Sequence, residues 1–453
     1  MFIKKVALYF VLLHISFQLF SQNWEQVGNF NDAPRVMLND TVSGLLYFSG
    51  NFRFNNNDTV DGFCAYNGSS FTSFGRRFDC NSFGCEPAFM IARYKEQLYL
   101  SGPGLTIIDE VNVKGIGKWD GIKWSPGMPG LYYGNDDNPV LDNYAIHDGI
   151  FYGVGAFRSA EGDTCNSVAY WDSQKWTGLG FPPWSDNSLP RVFRISFFKG
   201  QLYVGGNFSW AQSGGADIAQ LDSTGWHMVG GGLKGGISNA FDLQVYKGEL
   251  YVCGRFNKFE GNAGSGIMRW NGQQWREVGA GFCDPNITVT AMTVHSGRLY
   301  VVGNFDCVDN DIPASNIAVW DGEHWSNLGH SVFNNTISCI TAYRGEIYVG
   351  GGFTEVDGQP CRSLARWVDY ENGKPLENGF GLWPNPVRDI LQLIAPSPIE
   401  SVWIIDAAGR TVIQSEEIGD ARTSVLVAHL PAGLYFVSVR ASEKIWGGKF
   451  VKI

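Results

Sequence analysis

The sequence predicts an all-β fold in which most of the chain repeats one structural unit. The phrase QLYVGGNF, at residues 201–208, recurs with small changes at residues 45–52, 97–104, 150–157, 249–256, 298–305 and 346–353. The chain contains 57 glycines and 14% aromatic residues, whereas charged residues make up only 17%. Glycine disfavours helices, aromatic residues favour strands, and no segment keeps a helical periodicity. The repeat unit is therefore expected to consist of strands and turns.

The spacing of the repeat predicts the architecture. The tyrosine of the phrase falls at positions 47, 99, 152, 203, 251, 300 and 348, which is a period near 50 residues. Each unit carries four short strand signals, seen most clearly in VTAMTVH (289–295), RLYVVGNF (298–305), NIAVW (316–320) and HWSNLG (324–329). Four antiparallel strands per unit at this period are typical of a propeller blade. Seven copies predict a seven-bladed β-propeller over residues 22–368.

The two ends of the repeat region complement each other. The seventh unit stops after SLARW (363–367) and lacks the phrase of the WxxLG type that closes the other units. The missing phrase occurs near the N-terminus as NWEQVG, where Trp24 takes the place of the tryptophan that begins the phrase in other units. We therefore expect the N-terminal segment to form the outer strand of the last blade. Such closure removes the open sheet edges that invite aggregation.

The first 21 residues predict a secretory signal peptide. MFIKK supplies positive charge, and the 15-residue apolar run VALYFVLLHISFQLF follows it. This run is short for a membrane span, so we expect cleavage after Ser21 and no membrane span in the mature protein. The formal net charge is −10 and no basic stripe stands out, which disfavours nucleic acid as a partner.

The composition changes after Trp367. Residues 369–381 are polar and glycine-rich, as expected of a linker. Residues 382–453 contain short alternating strands with turns at AAGR and PAG, which predict a small C-terminal β-sandwich.

Both regions resemble known families. The repeat LYVGGNF…NIAxWDGxxWxxLG resembles the bacterial kelch-like, galactose-oxidase-like propeller repeats, which host many functions. The last 75 residues or so resemble the type A C-terminal sorting domain of the Bacteroidetes type IX secretion system. The matching residues are Pro384, Asn385, Pro386, Asp406, Gly409, Leu430, Gly433 and Tyr435. This resemblance implies Sec export, recognition by the type IX machinery, and a protein that is secreted or held on the outer cell surface.

The sequence offers no recognisable catalytic centre, so we nominate no catalytic residue. The propeller histidines are scattered singly, with no pair at copper- or zinc-ligand spacing. The acidic clusters at 55–62 and 306–313 offer oxygen ligands for Ca²⁺, but neither has EF-hand spacing and Asp and Asn are ordinary turn residues. We expect no cofactor, and Ca²⁺ at these acidic clusters is the alternative. The repeated Tyr and Trp residues are expected to be core rather than a sugar-binding ladder, because they alternate strictly within strands.

The longest loops suggest a ligand-binding patch. Loops between strands two and three, and loops between blades, are expected to share one face of a propeller. The candidate patch on that face is Tyr132, Tyr133, Asp136, Asp137, Trp184 and Trp210. Exposed aromatic residues beside carboxylates suit a glycan or a surface protein, although such loops often pack on themselves. A non-catalytic binding module is one hypothesis, and a polysaccharide hydrolase or lyase is the alternative.

Nine cysteines remain in the exported chain, so at least one is free or pairs between molecules. Two disulfides are predicted. Cys80 and Cys85 share one glycine-containing loop, and Cys283 and Cys307 flank the first hairpin of the sixth unit, nearly opposite each other.

Overall fold

The computed structural model of the chain describes residues 24–452, except for residues 57, 75–77, 81–89, 103–104, 134–138, 161–162, 184–188, 210–215, 236–237, 285–286, 330, 368–379, 384–386, 388–389, 396, 417–421 and 443. The described chain is all-β, as predicted. Its helical segments are two single 3₁₀ turns, Val229–Gly231 and Lys258–Glu260. None of its described helices is long and apolar enough to cross a membrane.

Residues 24–367 form seven antiparallel sheets of four strands each. We number the sheets one to seven in the chain order of their first strands. The first strands are Pro34–Asp40, Met90–Tyr94, Val140–His147, Arg191–Phe198, Asn239–Tyr246, Thr288–His295 and Ile337–Tyr343. The second strands are Leu45–Asn56, Gln97–Ser101, Ile150–Ala156, Gln201–Ser209, Glu249–Arg255, Arg298–Asn304 and Glu346–Gly351. The third strands are Asp58–Tyr66, Ile116–Trp119, Val168–Trp171, Ala216–Asp222, Ile267–Trp270, Ile317–Trp320 and Leu364–Trp367. The fourth strands are Phe71–Ser73, Trp124–Pro126, Trp176–Gly178, Gly225–Met228, Trp275–Arg276, Trp325–Asn327 and, for sheet seven, Trp24–Gln26.

The seven sheets follow one another in a ring. The first strand of each sheet contacts the first strands of the sheets before and after it, and sheet seven contacts sheet one. An apolar core fills each junction between neighbouring sheets. At the junction that closes the ring, Phe48 and Tyr66 of sheet one pack with Tyr343 and Tyr348 of sheet seven. Six of the seven repeated tyrosines are more than nine-tenths buried, so the expectation that they form core is confirmed.

The fourth-strand tryptophans hold neighbouring sheets together. The Nε1 of Trp325 donates a hydrogen bond of 2.8 Å to the carbonyl of Val278, in the apolar tail that follows the preceding fourth strand. Trp275 makes the same bond to Val229 at 2.9 Å, and Trp226 makes it to Leu179 at 2.8 Å. Each buried indole N–H thereby gains the partner that it needs. This geometry explains why an apolar tail follows the tryptophan in the sequence.

Short accessory strands lie outside the four-stranded sheets. Among the described residues of 24–367, they form two three-stranded sheets and two hairpins. The three-stranded sheets comprise Phe78–Cys80, Leu105–Ile108 and Val111–Asn112, and Leu131–Tyr132, Ser159–Ala160 and Asp163–Thr164. The hairpins are Cys307–Val308 with Ile312–Pro313, and Glu355–Val356 with Gln359–Pro360.

The C-terminal segment forms two sheets that share one core. Gly381–Trp383, Ile390–Ile394 and Arg422–Leu426 make a three-stranded sheet. Ile399–Asp406, Thr411–Glu416, Gly433–Ala441 and Lys444–Lys452 make a four-stranded sheet. Leu391 and Val425 of the first sheet pack in the same apolar cluster as Ile404, Val437 and Phe450 of the second.

Candidate functional site

The repeated phrase shapes the inner strands through its sixth residue, which is glycine in all seven copies. In six sheets, one residue of the first strand next to the partner of this glycine has no partner in the second strand. This irregularity is a β-bulge, and we call the unpaired residue the skipped residue. A Cβ on Gly254 would lie 1.9 Å from the carbonyl oxygen of Asn239, and one on Gly206 would lie 2.0 Å from that of Arg191. Only glycine therefore permits this close approach of the two strands.

The skipped residues of the six bulges line one cavity of about 1090 Å³, which we call the central cavity. Bulges are known to re-aim side chains next to functional sites. The skipped residues are Arg35, Asp142, Phe193, Phe241, Thr290 and Ser338. Residues of the connections between strands complete the wall, among them Tyr133 and Arg158. The same backbone irregularity in different sheets thus delivers different side chains to a single site.

The central cavity is cationic in an acidic protein. Four guanidinium groups line it, and Asp142 is the single carboxylate among its described lining residues. The arginines are Arg35, Arg158, Arg191 and Arg194. Like charges around a concave surface concentrate the electrostatic potential there and attract ions of the opposite sign. Burial raises the pKa of Asp142 to about 7, although Arg194 and Arg191 act in the opposite direction. Burial therefore favours the protonated form of the Asp142 carboxyl group more than is usual for an aspartate.

One of the four arginines is neutralised within the protein. Arg194 Nε lies 3.2 Å from the Asp242 carboxylate, and its Nη1 donates a bond of 2.9 Å to the carbonyl of Phe193. Asp242 also accepts bonds from the backbone N–H groups of Leu243 and Met292, at 2.9 and 2.8 Å. Arg158 and Arg191 have no side-chain hydrogen bond or ion pair with the described residues. Both residues line the central cavity.

Aromatic rings stand beside the charges. Phe193 of sheet four and Phe241 of sheet five have ring centroids 6.3 Å apart and planes inclined by 40°. Tyr133 is 47% exposed and lines the same cavity. The site therefore combines apolar ring faces with guanidinium groups, a mixture typical of ligand pockets.

The predicted binding patch is only partly described. Tyr133 reaches the central cavity, whereas Tyr132 lies in the short strand Leu131–Tyr132, where it pairs with Ser159 and its carbonyl accepts a bond of 2.8 Å from the N–H of Arg158. Asp136, Asp137, Trp184 and Trp210 lie outside the described residues. Sequence reasoning missed Asp142, Arg158, Arg191 and Arg194. A usable signal existed for Asp142, since the second-strand glycine stands opposite a skipped first-strand residue in six of the seven repeats.

The predicted sorting motif serves the fold of the C-terminal module where it is described. The Asp406 carboxylate accepts bonds of 2.9 Å from the N–H groups of Ala408 and Arg410, and these bonds lower its pKa. Gly409 occupies this turn at a φ of 81°. Leu430 is buried, and the Tyr435 hydroxyl donates 2.9 Å to the carbonyl of Pro431 in the turn that precedes Gly433. Pro384, Asn385 and Pro386 lie outside the described residues.

A disulfide joins Cys283 and Cys307, with Cα atoms 5.6 Å apart, as predicted. The side chains of Cys80 and Cys85 lie outside the described residues. Cys64, Cys253, Cys339 and Cys361 are free thiols, and these four side chains and that of Cys165 are buried. Within the described part of the chain, no three His, Cys, Asp or Glu side chains are placed to hold a metal ion, and no histidine lines the central cavity.

Comparisons with known proteins bear on both regions. Residues 381–453 match the family model of a secretion system C-terminal sorting domain. No curated protein matches the chain. Among solved structures, it is similar to PorZ of Porphyromonas gingivalis, with 14% identity and a TM-score of 0.50 over 95% of this chain and 60% of that one. The extracellular domain of the putative hybrid two-component system BT4673 from B. thetaiotaomicron has 11% identity and a TM-score of 0.48, over 94% and 59%.

The chain thus spans about three fifths of the length of each solved neighbour. At these identities, the similarity to PorZ concerns the fold alone. The C-terminal match is the finding that bears on cell biology: the chain carries a tail that directs type IX secretion, which indicates export to the cell surface or beyond.

Proposed function

We propose that this protein is a type IX cargo whose exported part is a seven-bladed β-propeller. In this proposal, residues 1–21 are a signal peptide, 22–368 the propeller, 369–381 a linker and 382–453 the sorting domain. Seven four-stranded sheets, inner strands in cyclic contact and a last sheet completed by the N-terminal strand support the propeller. PorZ, a surface component of the type IX secretion system in its own species, has a similar fold, which is in keeping with a surface location.

A reporter fusion tests the export route. Residues 370–453 fused behind a signal peptide and a periplasmic reporter should carry the reporter to the surface or medium of a bacterium with this secretion system. The matched control is the same fusion truncated after residue 380. Retention of the full fusion in the periplasm would contradict the role of the tail.

The proposed role of the propeller is non-catalytic binding of a glycan or a surface protein. The observation that carries this proposal is the central cavity, which is lined by the bulged residues of six sheets and by two arginines that have no side-chain hydrogen bond or ion pair among the described residues. A cavity lined by apolar rings and a few polar groups is the usual form of a small-ligand site.

A polysaccharide hydrolase or lyase is the second candidate, favoured by one observation. Asp142, with a pKa of about 7, holds or releases a proton near neutral pH, as a general acid or base does. Glycoside hydrolases normally use a pair of carboxyl groups, however, and Asp142 is the single one among the described lining residues. Binding is therefore the better supported role.

One experiment on the mature chain distinguishes the binding role from the enzymatic role. A glycan array and a pull-down of surface proteins measure binding, while release of new reducing ends or of unsaturated products measures cleavage. The proposal predicts retained ligand without cleavage, and it predicts that alanine at Arg191 weakens retention. Turnover that disappears in Asp142→Asn but persists in Arg276→Ala would establish the enzyme instead.

A further inference from the structure

The chemistry of the central cavity restricts the class of ligand. Arg158 and Arg191 present guanidinium groups that make no hydrogen bond or ion pair with the described residues, although Arg191 lies within electrostatic range of Asp142. A guanidinium group binds a carboxylate through two parallel hydrogen bonds, a geometry that a neutral hydroxyl cannot match. The cavity should therefore select ligands with carboxylates at separate positions, since Arg158 lies in the connection that follows the second strand of sheet three and Arg191 begins the first strand of sheet four.

Aromatic rings lie close to the guanidinium groups of sheet four. Arg191, Phe193 and Arg194 fall within four residues at the start of the first strand of sheet four, and Phe241 adds a second ring from sheet five. A sugar acid combines a flat apolar ring face with a carboxylate in every residue, and this combination matches the wall. An acidic peptide carries its carboxylates on flexible stems without such faces.

The size of the cavity favours an oligomer. Its volume of about 1090 Å³ lies just above the range of sites for small molecules, roughly 300–1,000 Å³. A single sugar would leave most of this space to water, whereas a short chain would reach both arginines and both phenylalanine rings.

We propose that the central cavity binds an acidic oligosaccharide of the uronic-acid class, with its carboxylates on Arg158 and Arg191 and its sugar rings against Phe193 and Phe241. This inference rests on the proposed binding function and names the ligand class for that site. Asp142 and Arg194 line the same cavity, and the ion pair with Asp242 holds the Arg194 side chain in place.

Calorimetric titration of the mature chain tests the proposal. The probes are tetramers to hexamers of galacturonate, glucuronate and mannuronate, their carboxyl-reduced neutral counterparts, a sulfated oligosaccharide and oligoglutamate. At least one uronate series should bind, and its neutral counterpart should not. Loss of one charge-assisted contact in Arg158→Ala or Arg191→Ala should weaken binding about 10-fold or more.

Two further variants separate site effects from general charge effects. Arg191→Lys keeps the charge but loses the planar fork, so its affinity should fall between those of the wild type and Arg191→Ala. Arg276→Ala removes a cation from the fourth strand of sheet five, outside the cavity wall, and should bind like the wild type.

The outcomes are distinct. Binding of neutral glycans alone would overturn this inference and leave the binding function intact. Equal or tighter binding of oligoglutamate or of the sulfated probe would assign the cavity to another anion class and overturn it as well. Failure of every uronate to bind, with no glycan or protein retained in the broader screen, would overturn the inference and the proposed function together.

Discussion

Trp24, near the N-terminus, lies directly opposite Trp367, the last residue of the repeat region, across an antiparallel strand pair. Their ring centroids are 5.3 Å apart. The Nε1 of Trp24 donates 2.6 Å to the Ser331 hydroxyl, which in turn donates to the carbonyl of Leu328. In sheets two to six the fourth-strand tryptophan donates directly to a backbone carbonyl of the preceding tail. Trp24 occupies the same structural position in sheet seven, but the Ser331 hydroxyl lies between its indole N–H and the carbonyl. Two segments more than 300 residues apart therefore complete one sheet.

Removing the Trp24 side chain should destabilise the closed circle of seven sheets as a whole. The side chain is 7% exposed, and Trp24→Ala loses its packing against Phe333 and Trp367. A buried tryptophan replaced by alanine costs about 3–5 kcal/mol. Urea denaturation followed by tryptophan fluorescence measures the loss. Ile122→Ala, at a side chain 86% exposed, is the control and should change stability by less than about 0.5 kcal/mol.

Substitution of the bulge glycine Gly351 should lower the stability of the protein, whereas substitution of its neighbour Gly352 should not. A Cβ on Gly351 would lie 2.3 Å from the carbonyl oxygen of Thr336, whereas a Cβ on Gly352 meets nothing closer than 3.5 Å. Gly351→Ala should therefore cost about 1–3 kcal/mol or more, as overpacking does. Gly352→Ala should be close to neutral. Thermal melting of the two variants makes the comparison, and equal melting temperatures would count against the bulge as the reason for the glycine.

The titration of Asp142 should give stability a definite pH dependence. Its pKa of about 7 in the folded protein lies above the usual value of 3.8, so the folded state binds this proton more tightly than the unfolded state. The free energy of unfolding should therefore fall as pH rises from about 4 to about 7. Asp142→Asn removes this contribution, and its stability relative to the wild type should be greater at pH 8 than at pH 5.

Denaturation curves at the two pH values measure that difference. Asp217 also has a pKa of about 7 because of burial, so a residual slope is expected in the variant. Identical slopes for wild type and variant would show that Asp142 does not titrate in this range.

The Cys283–Cys307 disulfide should contribute to stability. It closes a loop with a sequence separation of 24. Restricting the unfolded chain by a loop of this size is worth about 3 kcal/mol in the chain-entropy model. The double variant Cys283→Ser/Cys307→Ser should melt at a lower temperature, and the wild type in reductant should match it. Intact-mass spectrometry before and after reduction provides the check that the bond forms.

The sequence was sufficient for the arrangement of strands because the repeat is regular. Seven copies of one phrase indicate seven equivalent units, and the missing tail after Trp367 points to its replacement at Trp24. The wall of the central cavity could not be predicted in the same way. Arg35, Asp142 and Phe193 share neither residue type nor charge, and only the register shift opposite the glycine shows that they occupy equivalent positions.

Other site features depend on contacts between distant residues. The pairing of Arg194 with Asp242 joins residues 48 positions apart on neighbouring sheets, and it distinguishes this neutralised arginine from Arg158 and Arg191. No local pattern in one sequence carries that information. Tyr133 was predicted from its exposed aromatic loop, but for a patch on one face of the sheets rather than for the wall of the cavity.

Relocating the N-terminal strand tests ring closure most directly. In one variant residues 22–30 are deleted, and in a second they are moved to follow Trp367, joined by the turn sequence DGEH of residues 321–324. The deletion should lower the melting temperature by at least about 10 °C, and the relocated strand should recover most of that loss as a hairpin with its partner. A deletion variant that melts like the wild type would contradict the closure of the ring by Trp24–Gln26.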